Sequence, residues 1–217
     1  MQELSGISAS PGIAIGTAFL YLDDHPAVPR YEISAGDVGT EIERFRGAVR
    51  RAEEELLELK RRAQDEVSDD HVAILDAHLM MLQDEEFSMQ IEGDIRSRRQ
   101  NVESVLHSRV QDLIARLERS DDEHLRSRQS DLRDVLNRVL NHLMYRERIS
   151  LADLREEVVL VAHDLMPSDA IAMDKRRVKA IVMDAGGKTS HTAILARAFE
   201  IPAVLGLTEV TSHVRNG

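Results

Sequence analysis

The chain has 217 residues, enough for one sizeable core or two small ones. A net charge of -11 and a sequence pI near 5.3 argue against nucleic acid as the main partner, and the lack of cysteine excludes disulfides, thiolate nucleophiles and Cys-ligated metals. No apolar run approaches the roughly 20 residues that cross a bilayer, and the opening MQELSGISASPG is no secretory signal, so a soluble cytoplasmic protein is expected.

Residues 5–22 are rich in Gly and small side chains. Short apolar runs at 13–15 and 18–22, punctuated by Pro11-Gly12 and Gly16, predict short strands joined by turns. Residues 25–34, with Pro26 and Pro29, read as a linker. From about 35 to 148 proline is absent, charge is dense and apolar residues recur at spacings of three and four. Ile42, Phe45, Val49, Ala52, Leu56, Leu59 and Ala63 line one long helix. Val72, Leu75, Leu79 and Leu82 mark a second, Phe87, Ile91 and Ile95 a third. Val102, Val105, Val110, Leu113 and Leu117 continue the series, and Leu132, Val135, Val139 and Leu143 form a long last helix. Asp69-Asp70 and Asp121-Asp122 suit helix starts, where free N–H groups favour acidic side chains. The expectation is a bundle of four to five helices.

Strand signals return at residues 158–161, 180–183 and 203–205. Between the last two lie Asp184-Ala185-Gly186-Gly187 and a helical stretch over 192–199, a strand–turn–helix–strand unit. The predicted architecture is an α/β domain built from both chain ends, residues 1–34 and 149–217. An all-helical domain, residues 35–148, is inserted in it.

The most informative run is Gly186-Gly187-Lys188-Thr189-Ser190-His191-Thr192-Ala193-Ile194-Leu195-Ala196-Arg197. Gly186 and Gly187 permit a tight turn whose N–H groups face a ligand. Thr189 and Ser190 suit a helix cap, which puts His191 near a helix N-terminus. There a phosphoryl group would meet free amides, and a neutral, nucleophilic imidazole is favoured. Lys188 and Arg197 are the cations available to offset phosphoryl charge, with Arg197 well round the helix, and Ser190 is a hydrogen-bond donor to a phosphoryl oxygen. On composition alone the plainer reading, a capped loop with a surface histidine, is the heavier one. Ser190 and His191 make no catalytic dyad, His191 has no second metal ligand in its helix, and the loop lacks the glycine spacing of a nucleotide P-loop.

The run from Gly186 to Arg197, followed by Ile201-Pro202-Ala203-Val204, resembles the phosphohistidine signature of enzyme I of the bacterial phosphoenolpyruvate:sugar phosphotransferase system. A looser version occurs in pyruvate phosphate dikinase and phosphoenolpyruvate synthase. Gly6-Ile7-Ser8-Ala9-Ser10-Pro11-Gly12-Ile13-Ala14-Ile15-Gly16 is similar to the start of enzyme I. So are Ala77-His78-Leu79-Met80-Met81-Leu82-Gln83-Asp84-Glu85-Glu86-Phe87 and Asp131-Leu132-Arg133-Asp134-Val135. The resemblance implies an α/β phosphohistidine (swivelling) domain with an inserted helical bundle that docks the carrier protein HPr. It implies that His191 is phosphorylated on Nε2 and passes the group to a histidine of HPr. Docking would use a helical pair over residues 66–86, with His78 near its hinge, Asp84, Glu85 and Glu86 facing a basic carrier, and Arg133 near the docked partner.

Two departures from the family stand out. Ala170, in Met166-Pro167-Ser168-Asp169-Ala170, replaces a threonine whose hydroxyl supports the other nitrogen of the active histidine. A backbone carbonyl or water is expected to take its place. The chain also stops at Gly217, where the family continues with another strand and then a barrel that binds phosphoenolpyruvate and Mg2+ and mediates dimerisation. The sequence therefore reads as a truncated, monomeric piece with no cofactor of its own, exchanging phosphate only with HPr. Two rival readings are an enzyme I-like domain of a nitrogen-branch or dihydroxyacetone system and a non-catalytic helical docking module.

Overall fold

The computed structural model describes residues 3–21, 27–64, 69–145 and 150–217, with the backbone alone at 69–71 and 123–127. It divides the chain into two compact units, Met1–Asp24 with Ile149–Gly217, and His25–Arg148.

The first unit is α/β. Strands β1 (Ile7–Ser10), β2 (Thr17–Tyr21), β3 (Val158–Ala162), β4 (Val178–Met183) and β5 (Ala203–Leu205) form one sheet in the order β1-β5-β4-β3-β2. Strands β2 to β5 run parallel, and β1 pairs antiparallel with β5. The two strands of the first chain segment thus lie at opposite edges and bracket the three of the second. Short helices α6 (Pro167–Ala172), α7 (His191–Ala198) and α8 (Val210–His213) complete the unit. The parallel strands β3 and β5, and β4 apart from Lys179, are nearly continuous apolar runs, as in a parallel sheet with both faces covered. Val161 packs with Leu207 and Val210 beside α8, with Val159 and Val182 against them. The period of two then turns Leu160, Ala162, Ile181 and Met183, all buried, to the opposite face.

The run at residues 13–15, expected as a strand, is not one: Ile13 and Ile15 are each 94% exposed. The neighbouring Pro11 has no N–H to donate, and Gly12 adopts φ +142 hard against the ring of Pro202. The strand forms instead at β1. The outer edge of β2 is hydrogen-bonded by Asn216 and Gly217. The Leu20 N–H donates to Asn216 Oδ1 (2.6 Å) and the Gly217 N–H to the Ala18 carbonyl (3.2 Å). Leu22, the expected end of the second strand, lies outside the described residues.

The second unit holds five helices among its described residues: α1 (Val38–Ala63), α2 (Asp69–Leu82), α3 (Glu85–Arg98), α4 (Val102–Glu118) and α5 (Glu123–Leu143). Of the expected α1 stripe, Ile42, Phe45, Ala52, Leu56 and Ala63 are buried and Val49 and Leu59 half-buried, with Ala48 buried beside them. They meet Ile91 and Ile95 of α3, Val105 and Ile114 of α4, and Leu136 and Leu140 of α5 in a common helical core. The caps expected at Asp69-Asp70 lie where no side chain is described. A junction that is described, between α2 and α3, is capped by Asp84, whose Oδ1 accepts the Phe87 N–H at 3.0 Å.

Residues 29–33, read from sequence as linker, are strapped down. Buried Asn101 donates to the Pro29 carbonyl (2.9 Å) and accepts from the Tyr31 N–H (3.0 Å), while the Ile33 N–H donates to the Arg99 carbonyl (2.9 Å). Asn101 also donates to Glu103 (2.8 Å), which pairs with Arg44, and Arg44 donates to the Leu143 carbonyl (3.3 Å) at the end of α5. One polar network therefore joins the entering strap to the end of the last helix.

Candidate functional site

The glycine loop leaves β4 at the carboxyl edge of the parallel strands, where α/β sheets place their ligand crevices. Gly186 takes φ +94, a left-handed conformation costly for any other residue, and the Leu205 side chain would crowd a Cβ there. Ser190 caps α7: its Oγ accepts the Ala193 N–H at 3.2 Å and donates to the Gly187 carbonyl at 3.0 Å. The cap leaves the amides of His191 and Thr192, the first two of the helix, without an intrahelical acceptor.

His191 is the first residue of α7 and is half-buried. Lys188 and Thr189 beside it are exposed. Two sequence expectations change here. The hydroxyl proton of Ser190 is committed to the Gly187 carbonyl, so Ser190 shapes the loop rather than offering a free donor. Arg197 directs Nη1 to the carbonyls of Ala9 (3.0 Å) and Lys188 (3.1 Å), lacing α7 to β1 and to the loop rather than standing free as a counter-charge.

Ala170 lies fully buried on α6, which packs against α7. Its methyl group cannot hydrogen-bond an imidazole. Among the described residues no side chain or backbone carbonyl hydrogen-bonds the His191 ring, so the carbonyl expected to replace the threonine is not found.

A feature missed in the sequence lies on the same sheet edge. Buried Asp184, just after β4, accepts from the backbone N–H and hydroxyl of Thr211, from the Val210 N–H and from His163 Nδ1 (3.4 Å). Burial works against its charge. The hydrogen bonds from Thr211, His163 and Val210 together outweigh it and hold its carboxyl below the usual range. The available signal was positional, since Asp184 and His163 each directly follow a strand.

In the helical unit the structure separates the expected docking residues. Asp84, Glu85, Glu86 and Arg133 are exposed, with Arg133 3.4 Å from Glu118. His78 is not exposed at all. Its Nε2 lies 3.5 Å from Asp131 and its Nδ1 3.9 Å from Asp134, so it is a buried link between α2 and α5 and presents nothing to a partner. The expected pair over residues 66–86 is in fact α2 and the first turn of α3, and Glu66 lies outside the described residues. Asp84 and Leu132, the neighbour of Arg133, border one apolar cavity of ≈ 140 Å³ that Phe45, Val110 and Val139 also line.

The class is thus an α/β unit interrupted by a helical unit, with a capped, histidine-bearing loop at the carboxyl edge of its sheet. The model of the PEP-utilising enzyme N-terminal region matches residues 5–128, and that of the PEP-utilising enzyme mobile domain matches residues 154–217. The chain belongs to the PEP-utilising enzyme family. It is 40% identical over 213 residues to the phosphoenolpyruvate-protein phosphotransferase of Listeria innocua, covering 98% of this chain and 37% of that protein. The Bacillus subtilis protein of the same name is 39% identical over 217 residues, covering all of this chain and 38% of the relative. The chain therefore spans little more than a third of these relatives. A solved structure described as the NMR solution structure of Enzyme I (nEIt) superposes with a TM-score of 0.86 at 40% identity, covering 99% of this chain and 87% of that one.

Proposed function

We propose that this chain carries a phosphoryl group on Nε2 of His191 and exchanges it with the histidine of the carrier HPr, as the phosphohistidine part of a phosphoenolpyruvate-protein phosphotransferase serving sugar uptake. The observation that carries this reading is the setting of His191. It is the first residue of a capped helix, beside two amides that no intrahelical acceptor uses and behind a glycine turn with positive φ at Gly186. Such a helix start favours a dianionic group, and the lone pair of a ring nitrogen is the nucleophile that attacks phosphorus. The 40% identity to named phosphotransferases supports the same chemistry.

In the exchange, neutral His191 attacks the phosphorus of the carrier's phosphohistidine in line. The new P–N bond forms as the old one breaks, and both states are phosphohistidines, so the step is reversible. The amides of His191 and Thr192 face the equatorial oxygens, and Lys188 supplies the nearby positive charge. Asp84, Glu85, Glu86 and Arg133 form the docking face of the helical unit, where acidic side chains speed encounter with a basic carrier. Phosphoenolpyruvate and Mg2+ belong to the whole enzyme. Among the described residues no three His, Asp or Glu groups gather to hold a metal ion, and no step here is routed through one.

Incubation with phospho-HPr tests the reading. An acid-labile phosphate on the His191 peptide is expected in the wild type and absent from His191→Ala, which still binds HPr. Binding without any such phosphate in the wild type would leave a docking module only. Loading by a nitrogen-branch or dihydroxyacetone-system carrier in preference to HPr would move the chain to those systems.

A further inference from the structure

The α/β unit carries another histidine on the carboxyl edge of its sheet. His163 directly follows β3, and Asp184 directly follows the parallel neighbour β4. The backbone joins the two turns: the Asp184 N–H donates to the Ala162 carbonyl (3.1 Å) and the Ala185 N–H to the His163 carbonyl (2.8 Å). His163 therefore sits beside the loop that leads to His191.

Its side chain is 70% exposed, yet Nδ1 lies 3.4 Å from Oδ2 of Asp184, a carboxylate only 2% exposed. A carboxylate acceptor places the ring proton on Nδ1 and leaves the lone pair on Nε2, at the open side of the ring. It also stabilises the positive charge that the ring gains when Nε2 attacks an electrophile. Asp184 suits that task because its hydrogen bonds keep it ionised in spite of burial. His191 has the helix start but no ring partner among the described residues, whereas His163 has the orienting carboxylate.

From this geometry we infer that His163 is a second phosphoryl acceptor of the chain, nucleophilic at Nε2. The inference rests on the phosphohistidine reading of the site above. Nε2 of neutral His163 attacks the phosphorus of a phosphohistidine, on the carrier or on His191. The P–Nε2 bond forms as the donor's P–N bond breaks, and the donor ring leaves with its nitrogen lone pair. The Nδ1 proton stays on His163, held by Asp184. No water, metal or oxidant enters the balance.

The test uses phospho-HPr as donor, with wild type, His191→Ala, His163→Ala and the double variant. Phosphate is mapped by peptide under alkaline conditions, and the isomer is identified by phosphorus NMR. The expected result is an Nε2-phosphohistidine at residue 163, in the wild type or in His191→Ala. In His163→Ala that label is lost while the label on His191 stays, and the double variant has neither. Label confined to His191 in the wild type, with none in His191→Ala, overturns the inference and leaves the reading of His191 intact. Label at residue 163 on Nδ1 also overturns it, because the Asp184 contact fixes the opposite nitrogen. No label on either histidine overturns both. Where a variant fails to fold, the wild type alone decides: label at residue 163 supports the inference, and label confined to His191 overturns it.

Discussion

A carboxylate that is buried and still charged has to be held by donors, and Asp184 shows how many that takes. Its two oxygens accept from a hydroxyl, an imidazole and two backbone amides, and they tie the turns after β3 and β4 to the start of α8. Because folding lowers its pKa, Asp184 contributes stability above the unfolded value near 3.8. That contribution is lost as pH falls through the lower, folded value. Asp184→Asn keeps one acceptor but loses the charge, at an expected cost of about 1–3 kcal/mol at pH 7. Urea melts at pH 7 and in the acid range check this. The gap between wild type and variant should narrow in acid, and an unchanged gap would mean that the ionised carboxylate is not the stabilising form.

Among the elements, the junction of α3 and α4 carries more than its length suggests. Arg99 ends α3 in a left-handed conformation (φ 48), and Asn101 precedes α4. The Val102 N–H at that helix start is satisfied by a Glu41 carboxylate from α1 (2.9 Å), a cap supplied from across the core. Asn101 spends its own side chain on the strap at Pro29 and Tyr31 and on Glu103. Asn101→Ala strands several buried groups at once, and a loss of about 3 kcal/mol is expected in chemical denaturation. The amides of Tyr31 and Ile33 should exchange faster with deuterium in the variant. Unaltered protection there would show that the strap holds without Asn101.

At the scale of the whole molecule, each unit has a core of its own, and the helical unit also closes its entry and exit within itself. Asn101 fastens the incoming strap, and Arg44 reaches the Leu143 carbonyl at the end of α5. Residues 25–148 expressed alone are therefore expected to fold, with a helical circular dichroism spectrum and one cooperative thermal transition. A spectrum of unfolded chain would mean that the bundle needs the α/β unit. The α/β unit offers no such excision, because β1 and β2 come from one end of the chain and β3 to β5 from the other.

The five helices and strands β3 to β5 were legible in the sequence, because apolar periodicity follows burial and burial follows the period of each element. The coarse α/β class and the capped loop were legible too, since glycines, a serine and a helical run act locally. Tertiary structure alone decided the rest. It placed β1 away from residues 13–15, turned the supposed linker into a strap, buried His78 between two aspartates and committed Ser190 and Arg197 to backbone carbonyls. It also brought His163 against Asp184, 21 positions on. Each of these depends on a partner distant in sequence, and hydrogen bonds between distant groups leave no periodic trace in the chain.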